Sequence, residues 1–280
     1  MENIFPIFKS AVTIMTPLLF AAAGGLYPAL AGTMNITLEG LLLAGAFSSL
    51  AVFYFTGSAV IAVIAAVIAA TALSLIHALA VFKLKADLFI TGLAVNLFSG
   101  GLCIVLSDKL FNTRGVTASN IIFGLVNWYF PAALLLLLIS WLVIFKTPFG
   151  YRLRACEKDS DALLSLGIKP QNYKTCAFLI SGFLCGIGGS FLSLNLGVFI
   201  PGMSAGKGWI ALVVIFLGAR KPQGILIAAF IFGLTDAFSN YAQGFLSLPS
   251  DIILSIPYIV TFIAMVAASI IPQDKRSIKG

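Results

Sequence analysis

The chain has 280 residues, of which 60% are hydrophobic and 10% charged, and a formal net charge of +7. A soluble domain carries about a quarter charged residues, so this composition excludes one and points to an integral membrane protein. The excess of base does not indicate nucleic acid, because the charges sort by loop between apolar runs.

In chain order, apolar segments occupy about 11–31, 38–56, 58–82, 87–107, 123–146, 173–195, 208–219, 222–244 and 251–271. Runs of about 20 apolar residues match the hydrocarbon thickness of a bilayer. The expected fold is an all-α polytopic transmembrane bundle of about 8–10 segments, some short or broken, forming a single transmembrane domain over 1–280. The first segment ends near Ala29-Leu30-Ala31, which resembles a cleavage triplet. It is long for a signal-peptide core, with only Lys9 before it, and reads as a retained span. The seventh segment is too short to cross alone and reads as a half-helix or a broken one.

Polar residues within these segments are few. Glu39 begins the second, four residues after Asn35, where a carboxylate suits the positive end of a helix. Asn96 lies beside Ser99 and Gly100-Gly101, fitting either glue between helices or contact with a polar solute. Asp87, beside Lys83 and Lys85, reads as a boundary residue. Asp236 has Ser239 and Asn240 one turn on, which places the three on one helix face. A carboxylate at bilayer depth costs about 2.5–3.5 kcal/mol, so it should face the protein interior or a water-filled path. Asn35, Glu39, Asn96, Asp236, Ser239 and Asn240 are therefore the candidate pathway residues. The single histidine, His77, cannot form a His-based metal cluster and reads as packed. The four cysteines show no CxxC spacing and read as small apolar residues or free thiols. Trp128, Tyr129 and Trp209 fall near expected outer boundaries, where aromatic belts occur.

Loop alternation sets the orientation. With 146–174 and the C-terminal tail on the cytoplasmic side, only Lys9, Lys109, Arg114 and Lys207 fall outside, leaving 13 of the 17 Lys and Arg inside (17 − 4). If all nine segments cross, the N-terminus lies outside; if the first or seventh is re-entrant, it does not.

The stretch 146–174, KTPFGYRLRACEKDSDALLSLGIKPQNYK, is one polar island in this apolar chain. Asp159 or Ser160 suits an N-cap, Asp161 suits the first turn, and Gly167 can close a short helix in the left-handed conformation. Such a helix is too short to be stable alone in water. It carries Leu163 and Leu164 without a core of its own, as a knob for a soluble partner would. Arg152, Arg154 and Lys158 would rim it. An ordinary cytoplasmic loop fits the pattern equally well.

The wording of the island tips that balance. Thr147-Pro148-Phe149-Gly150, Arg152-Leu153-Arg154-Ala155 and Leu166-Gly167-Ile168 resemble the coupling loop of bacterial ABC importer permeases of the branched-chain amino acid, ribose and nucleoside class. Asn35-Ile36-Thr37-Leu38-Glu39-Gly40 is similar to that family's N-I-x-x-E-G stretch. Ala86-Asp87 with Ile90 to Asn96 resembles a stretch of its nucleoside and simple-sugar branch. Gly206-Lys207-Gly208-Trp209-Ile210-Ala211-Leu212, running to Pro222-Gln223-Gly224, resembles its half-helix and following turn. The island departs from the family at Cys156-Glu157-Lys158-Asp159-Ser160, where Gly-Glu-x-Pro is usual.

The resemblance implies a transport subunit of the bacterial cytoplasmic membrane that is not itself an enzyme. Coupling to an ATPase would fall to Arg152, Arg154, Ser160, Asp161, Leu163, Leu164 and Gly167. The chain itself would bind no cofactor, ATP being used by a cytoplasmic ABC ATPase. A second, different permease subunit and an extracytoplasmic substrate-binding lipoprotein are the other implied partners, beside membrane lipid and a small solute, with no nucleic acid. Nucleosides are the first expectation for the solute; simple sugars or riboflavin are alternatives, and an ion-coupled secondary transporter is the rival mechanism. Gly202-Met203-Ser204-Ala205-Gly206-Lys207-Gly208 imitates a phosphate-binding loop. It is one residue short, lacks Ser or Thr after the Lys, and falls on the expected outer face.

Overall fold

A computed structural model describes residues 4–118, 126–243, 253, 255–260, 262, 263 and 266. Seven of its helices are long and apolar enough to cross a membrane. They are α1 (Ile4–Leu30), α2 (Leu38–Thr56), α3 (Ala59–Phe82), α4 (Leu88–Phe111), α5 (Val126–Lys146), α8 (Pro170–Leu196) and α10 (Pro222–Ala242). Between them lie α6 (Pro148–Lys158), α7 (Ser160–Ser165) and the short apolar α9 (Lys207–Leu217). Most of the expected ninth segment lies outside the described residues, and those described within it are helical.

The N-terminal segment is part of the core, not an appendage. Its helix α1 packs on α8, α10, α9 and α5. The centre of the bundle is α8, against which α1, α2 and α3 all pack. Close approach there depends on small residues: a Cβ on Gly182 or Gly186 would strike the α3 backbone, and one on Gly189 the α2 backbone. Helices in lipid gain little from apolar burial against each other, so this backbone-to-backbone contact is what holds them.

Two ends can be distinguished. At one, the end of α1, helix α6 and the α9–α10 turn meet: Arg220 Nη1 lies 2.5 Å from Glu157 Oε1 and donates to the Ala29 carbonyl at 3.5 Å. At the other, Thr117–Ala118 (β1) pairs antiparallel with Val198–Phe199 (β2), and Phe55 stacks on Phe111. The positive-inside bias makes the first end cytoplasmic, which leaves the N-terminus of α1 outside.

The chain between α1 and α2 does not run along the membrane surface. Residues 31–37 turn back into the bundle, so that α2 begins level with Asn96, about 12 Å above the start of α4 at a rise of about 1.5 Å per residue. Non-helical backbone at that depth needs partners from the protein. Asn96 supplies two, donating from Nδ2 to the Ile36 carbonyl at 2.9 Å and accepting at Oδ1 from the Gly40 N–H at 2.8 Å. Ser99 Oγ donates to the Gly40 carbonyl at 2.6 Å. Asn35 closes the turn itself, accepting from the Thr37 N–H at 3.1 Å and donating to Ser181 Oγ at 2.8 Å.

Of the boundary and packing expectations, the one for Tyr129 changes. Asp87 is the N-cap of α4, accepting from the amides of Phe89 and Ile90. His77 is buried against Phe178, with Nε2 3.3 Å from the Leu88 carbonyl. Tyr129 is not a belt residue: it is buried, with its hydroxyl 3.0 Å from Ser190 Oγ. Trp128 is well exposed, as a belt residue would be.

Candidate functional site

Helix α9 has 11 residues and spans about 16 Å, half a bilayer. Its first residue therefore stands inside the membrane, and Lys207 belongs there, not on the outer face where loop alternation places it. The loop before α9 bends through three left-handed residues, Gly202, Ala205 and Gly206, with φ of 77°, 46° and 78°. This aims its donors at one point. Glu39 fills that point: Oε1 accepts from Ser204 Oγ at 2.6 Å and from the Gly206 N–H at 2.9 Å, and Oε2 accepts from the Gly208 N–H at 2.7 Å. The stretch that imitates a phosphate loop does hold an anion, and the anion is a carboxylate from α2. A helix N-terminus attracts negative charge through its unpaired amides and its dipole. Glu39 thus caps α9, a different helix from the one it begins.

Beside this cap lies a cavity of about 390 Å³. One wall is α1, through Ile14 and Leu18; the other is built from Ala205, Lys207, Ile210, Phe232, Gly233, Asp236 and Asn240. Pro257 and Tyr258 of the C-terminal helical stretch complete it. Lys207 and Asp236 both face this space, without an ion pair between them. A second cavity of about 350 Å³ shares Ile14 and Lys207 with the first, and a third of about 490 Å³ shares Ile14 and Asn240. The third extends along α1 past Ser10 and Lys9 to Pro6, near the outer end. Together they follow α1 from outside to about mid-depth, ending at Leu18 and Phe232.

Of the six candidate pathway residues, Asp236 and Asn240 line this route and the other four do not. Asn35 and Asn96 satisfy broken backbone, and Glu39 caps α9. Ser239 is buried on the far side of α10, donating to the Ile253 carbonyl, so it does not share the face of Asp236 and Asn240. Lys207 is the residue sequence reasoning missed. The signal was present: a helix of 11 residues cannot bring its first residue to the surface.

At the cytoplasmic end the island forms two helices where one was expected. Thr147 caps α6, accepting from the Gly150 N–H at 3.3 Å, with Pro148 in the first turn. Gly150, Leu153 and Cys156 face inward at a spacing of three. Asp159 caps α7, accepting from the Ala162 N–H at 2.9 Å. Gly167, at φ 73°, closes it in a Schellman turn, with the Ile168 N–H bonding the Leu163 carbonyl and the Gly167 N–H the Leu164 carbonyl, both at 2.9 Å.

The side chains of α7 divide. Leu163 is buried at 6% exposure, whereas Leu164 and Leu166 are 55% and 74% exposed. The apolar knob is thus Leu164 with Leu166, not Leu163 with Leu164. The two arginines do not simply rim it. Arg152 Nη1 donates to Tyr173 Oη at 3.0 Å, and the Arg154 guanidinium stacks over Phe145 and Tyr151 at 4.9 and 5.0 Å. Ser160 donates back to the Cys156 carbonyl at 2.8 Å, joining the two helices, and Asp161 is exposed in the first turn of α7.

A family described as branched-chain amino acid transport system / permease component matches residues 7–269. The chain belongs to this permease family. Guanosine ABC transporter permease protein NupQ of Bacillus subtilis is 30% identical to this permease, over 92% of the present chain and 90% of its own. Nucleoside ABC transporter permease protein NupC of Lactococcus lactis is 28% identical, over 89% and 88%. A candidate glucose ABC transporter permease protein, TsgC13 of Haloferax volcanii, is 26% identical, over 88% and 80%. The permease is a multi-pass protein of the cytoplasmic membrane and the membrane component of an ABC-type transport system, working with ATPase and substrate-binding components.

Proposed function

We propose that this permease carries nucleosides inward along the α1 cavities, by ATP-driven alternating access. The carrying observation is the cavity that joins Lys207, Asp236 and Asn240 to apolar walls of Ile14, Leu18, Ile210 and Phe232. Ligand sites are mostly apolar with a few placed polar groups, and a volume of several hundred cubic ångströms is in their usual range. A nucleoside has a flat ring for the apolar walls, with ring amides and ribose hydroxyls for the polar groups. The nucleoside and guanosine transport named for the two relatives supports the same choice.

In this reading α6 and α7 meet the ATPase, with Leu164 and Leu166 at the contact. A second, different permease subunit completes the pathway, and an extracytoplasmic lipoprotein delivers the solute. The test is affinity purification of the chain from its native membrane, with mass spectrometry of what accompanies it, followed by uptake of labelled guanosine in vesicles holding the recovered complex. Co-purification of an ATPase, a second permease and a lipoprotein, with uptake displaced by other nucleosides but not by glucose or riboflavin, is the expected result. Uptake displaced by glucose or riboflavin would overturn the solute assignment. Uptake by this chain alone under an ion gradient would overturn the mechanism.

A further inference from the structure

We infer that the α9–α10 hairpin is the moving wall of the cavity, and that the Glu157–Arg220 pair is the link by which α6 moves it. The inference rests on reading α6 and α7 as the ATPase-facing elements. The described residues hold two ion pairs, and Asp108–Arg114 lies within one local turn. Glu157–Arg220, at 2.5 Å, is the one that joins elements distant in sequence, the last turn of α6 and the α9–α10 turn. Both side chains are more than a third exposed, and a pair in that setting adds little to stability. Its consequence is positional.

The α9–α10 turn is built to follow its contacts. Ala219 and Arg220 both adopt left-handed φ, at 51° and 54°, which residues bearing a Cβ rarely do. Two such residues in succession persist only where the surroundings hold them. What holds this turn is the Schellman bonding of its amides to Ile215 and Phe216, and the Arg220 side chain clamped by Glu157 and the Ala29 carbonyl. A Cβ on Gly218 would strike the backbone of Gly224 and Ile225, so the two helices touch backbone to backbone and move together.

The far end of α9 is held by a second carboxylate, Glu39 of α2. The hairpin is therefore gripped at its cytoplasmic end by α6 and latched at mid-depth by α2. At and outward of the latch it supplies Lys207, Phe232, Gly233, Asp236 and Asn240, with Ile210 one turn inward, to one wall of the cavity, whereas α1 supplies the other. Helix α10 touches α1 closely at Gly233, beside Ala11 and Met15, so displacing α6 pulls the hairpin through Arg220, turns it about this contact and Glu39, and changes the gap to Ile14 and Leu18. Glu157 and Arg220 are in this sense positioning residues for transport, remote from the solute.

The test uses the whole transporter in proteoliposomes, with Ile210→Cys in a Cys176→Ser background as a reporter of the cavity wall. For Glu157→Gln and Arg220→Gln we expect the ATPase still bound and hydrolysing, uptake per ATP reduced about tenfold, and loss of the ATP-dependent change in labelling at position 210. Exchanging the charges, Glu157→Arg with Arg220→Glu, restores part of the uptake per ATP and so assigns the effect to the pair, while unchanged melting temperatures of the single variants separate it from a structural role. Normal uptake per ATP with a normal ATP-dependent change in labelling would overturn the inference. So would loss of the ATPase from the Glu157→Gln complex, which would make Glu157 a docking residue instead. If Leu164→Asp leaves the ATPase bound while Glu157→Gln uncouples, the link stands and the docking reading of α7 falls.

Discussion

Glu39 Oε2 accepts a hydrogen bond from the Gly208 N–H at 2.7 Å, joining the first turn of α2 to the first turn of α9 across 169 residues of chain. The contact is possible because Gly208 has no side chain: a Cβ there would collide with the backbone of Leu38 and Glu39. Removing the carboxylate strands three donors, those of Ser204, Gly206 and Gly208. Hydrogen bonds to charged groups contribute about 1.5–3 kcal/mol each and are not additive, so Glu39→Ala should cost about 2–4 kcal/mol. Glu39→Gln keeps one acceptor oxygen and should cost less. Thermal unfolding of the purified permease in detergent would rank wild type above Gln above Ala. An Ala variant that melts with the wild type would show that the carboxylate does not hold α9.

Lys207 and Asp236 make a second, functional prediction. They face one cavity within the membrane, without an ion pair between them. Asp236→Asn removes the carboxylate that faces the cavity beside Lys207. No ion pair is lost and both side chains are partly open, so the cost in stability is expected to stay below about 1 kcal/mol. A carboxylate that accepts a hydrogen bond from the solute contributes about 1.5–3 kcal/mol, so uptake should fall about tenfold or more, at 1.4 kcal/mol per factor of ten, with assembly intact. Lys207→Met with Asp236→Leu should assemble at least as well as either single change and still not transport. Wild-type uptake by the double variant would remove the pair from the pathway.

The spans were legible because each is a run of apolar residues near bilayer length, and length alone separates α9 from the rest. Helix α6 was not, because only Gly150, Leu153 and Cys156 face inward, too narrow a stripe to stand out among charged residues. The short α7 was readable from its ends, Asp159 and Gly167, yet six residues cannot reveal which leucine turns toward α6 and α8. The site failed for a different reason. Lys207 was placed by alternating loops from side to side, a rule that assumes every segment crosses fully. Glu39 and Asn96 answer mainly to backbone groups brought near only by the fold, and Asn35 to the hydroxyl of Ser181. A polar residue in a membrane segment is conspicuous in sequence; the donor or acceptor it satisfies is not.

The leucines of α7 test the cytoplasmic face. Leu164→Asp and Leu166→Asp alter exposed side chains, so insertion and folding should be preserved. An apolar partner groove would lose the burial of a leucine, about 1.5–3 kcal/mol for each side chain. That weakens ATPase retention roughly 10- to 100-fold, at 1.4 kcal/mol per factor of ten. Leu163→Asp instead places a carboxylate in a buried position and should destabilise the permease itself. Pull-down of the ATPase, read beside the melting temperature of each variant, separates the two effects. Full ATPase retention by the Leu164→Asp, Leu166→Asp double variant would place the docking surface elsewhere.

Two cytoplasmic-end cysteines give a pH-dependent check on the packing of α6. Cys156 is buried, with Sγ 3.2 Å from the Arg152 carbonyl, whereas Cys176 is exposed. Burial pushes the Cys156 thiol above its ordinary value of 9.0, and the nearby Lys174 charge opposes part of that rise. The thiolate is the reactive form, so a raised value means less reaction at any pH below it. A small methanethiosulfonate should modify Cys176 readily at neutral pH and Cys156 hardly at all. The labelling rate of Cys156 should climb with pH and reach half its maximum above 9.0. Lys174→Gln removes the opposing charge and must move that midpoint higher still. The check is mass-spectrometric quantification of each labelled peptide across the pH series. A midpoint that falls in Lys174→Gln, or Cys156 labelling as fast as Cys176 at neutral pH, would mean that α6 does not bury this side chain against the start of α8.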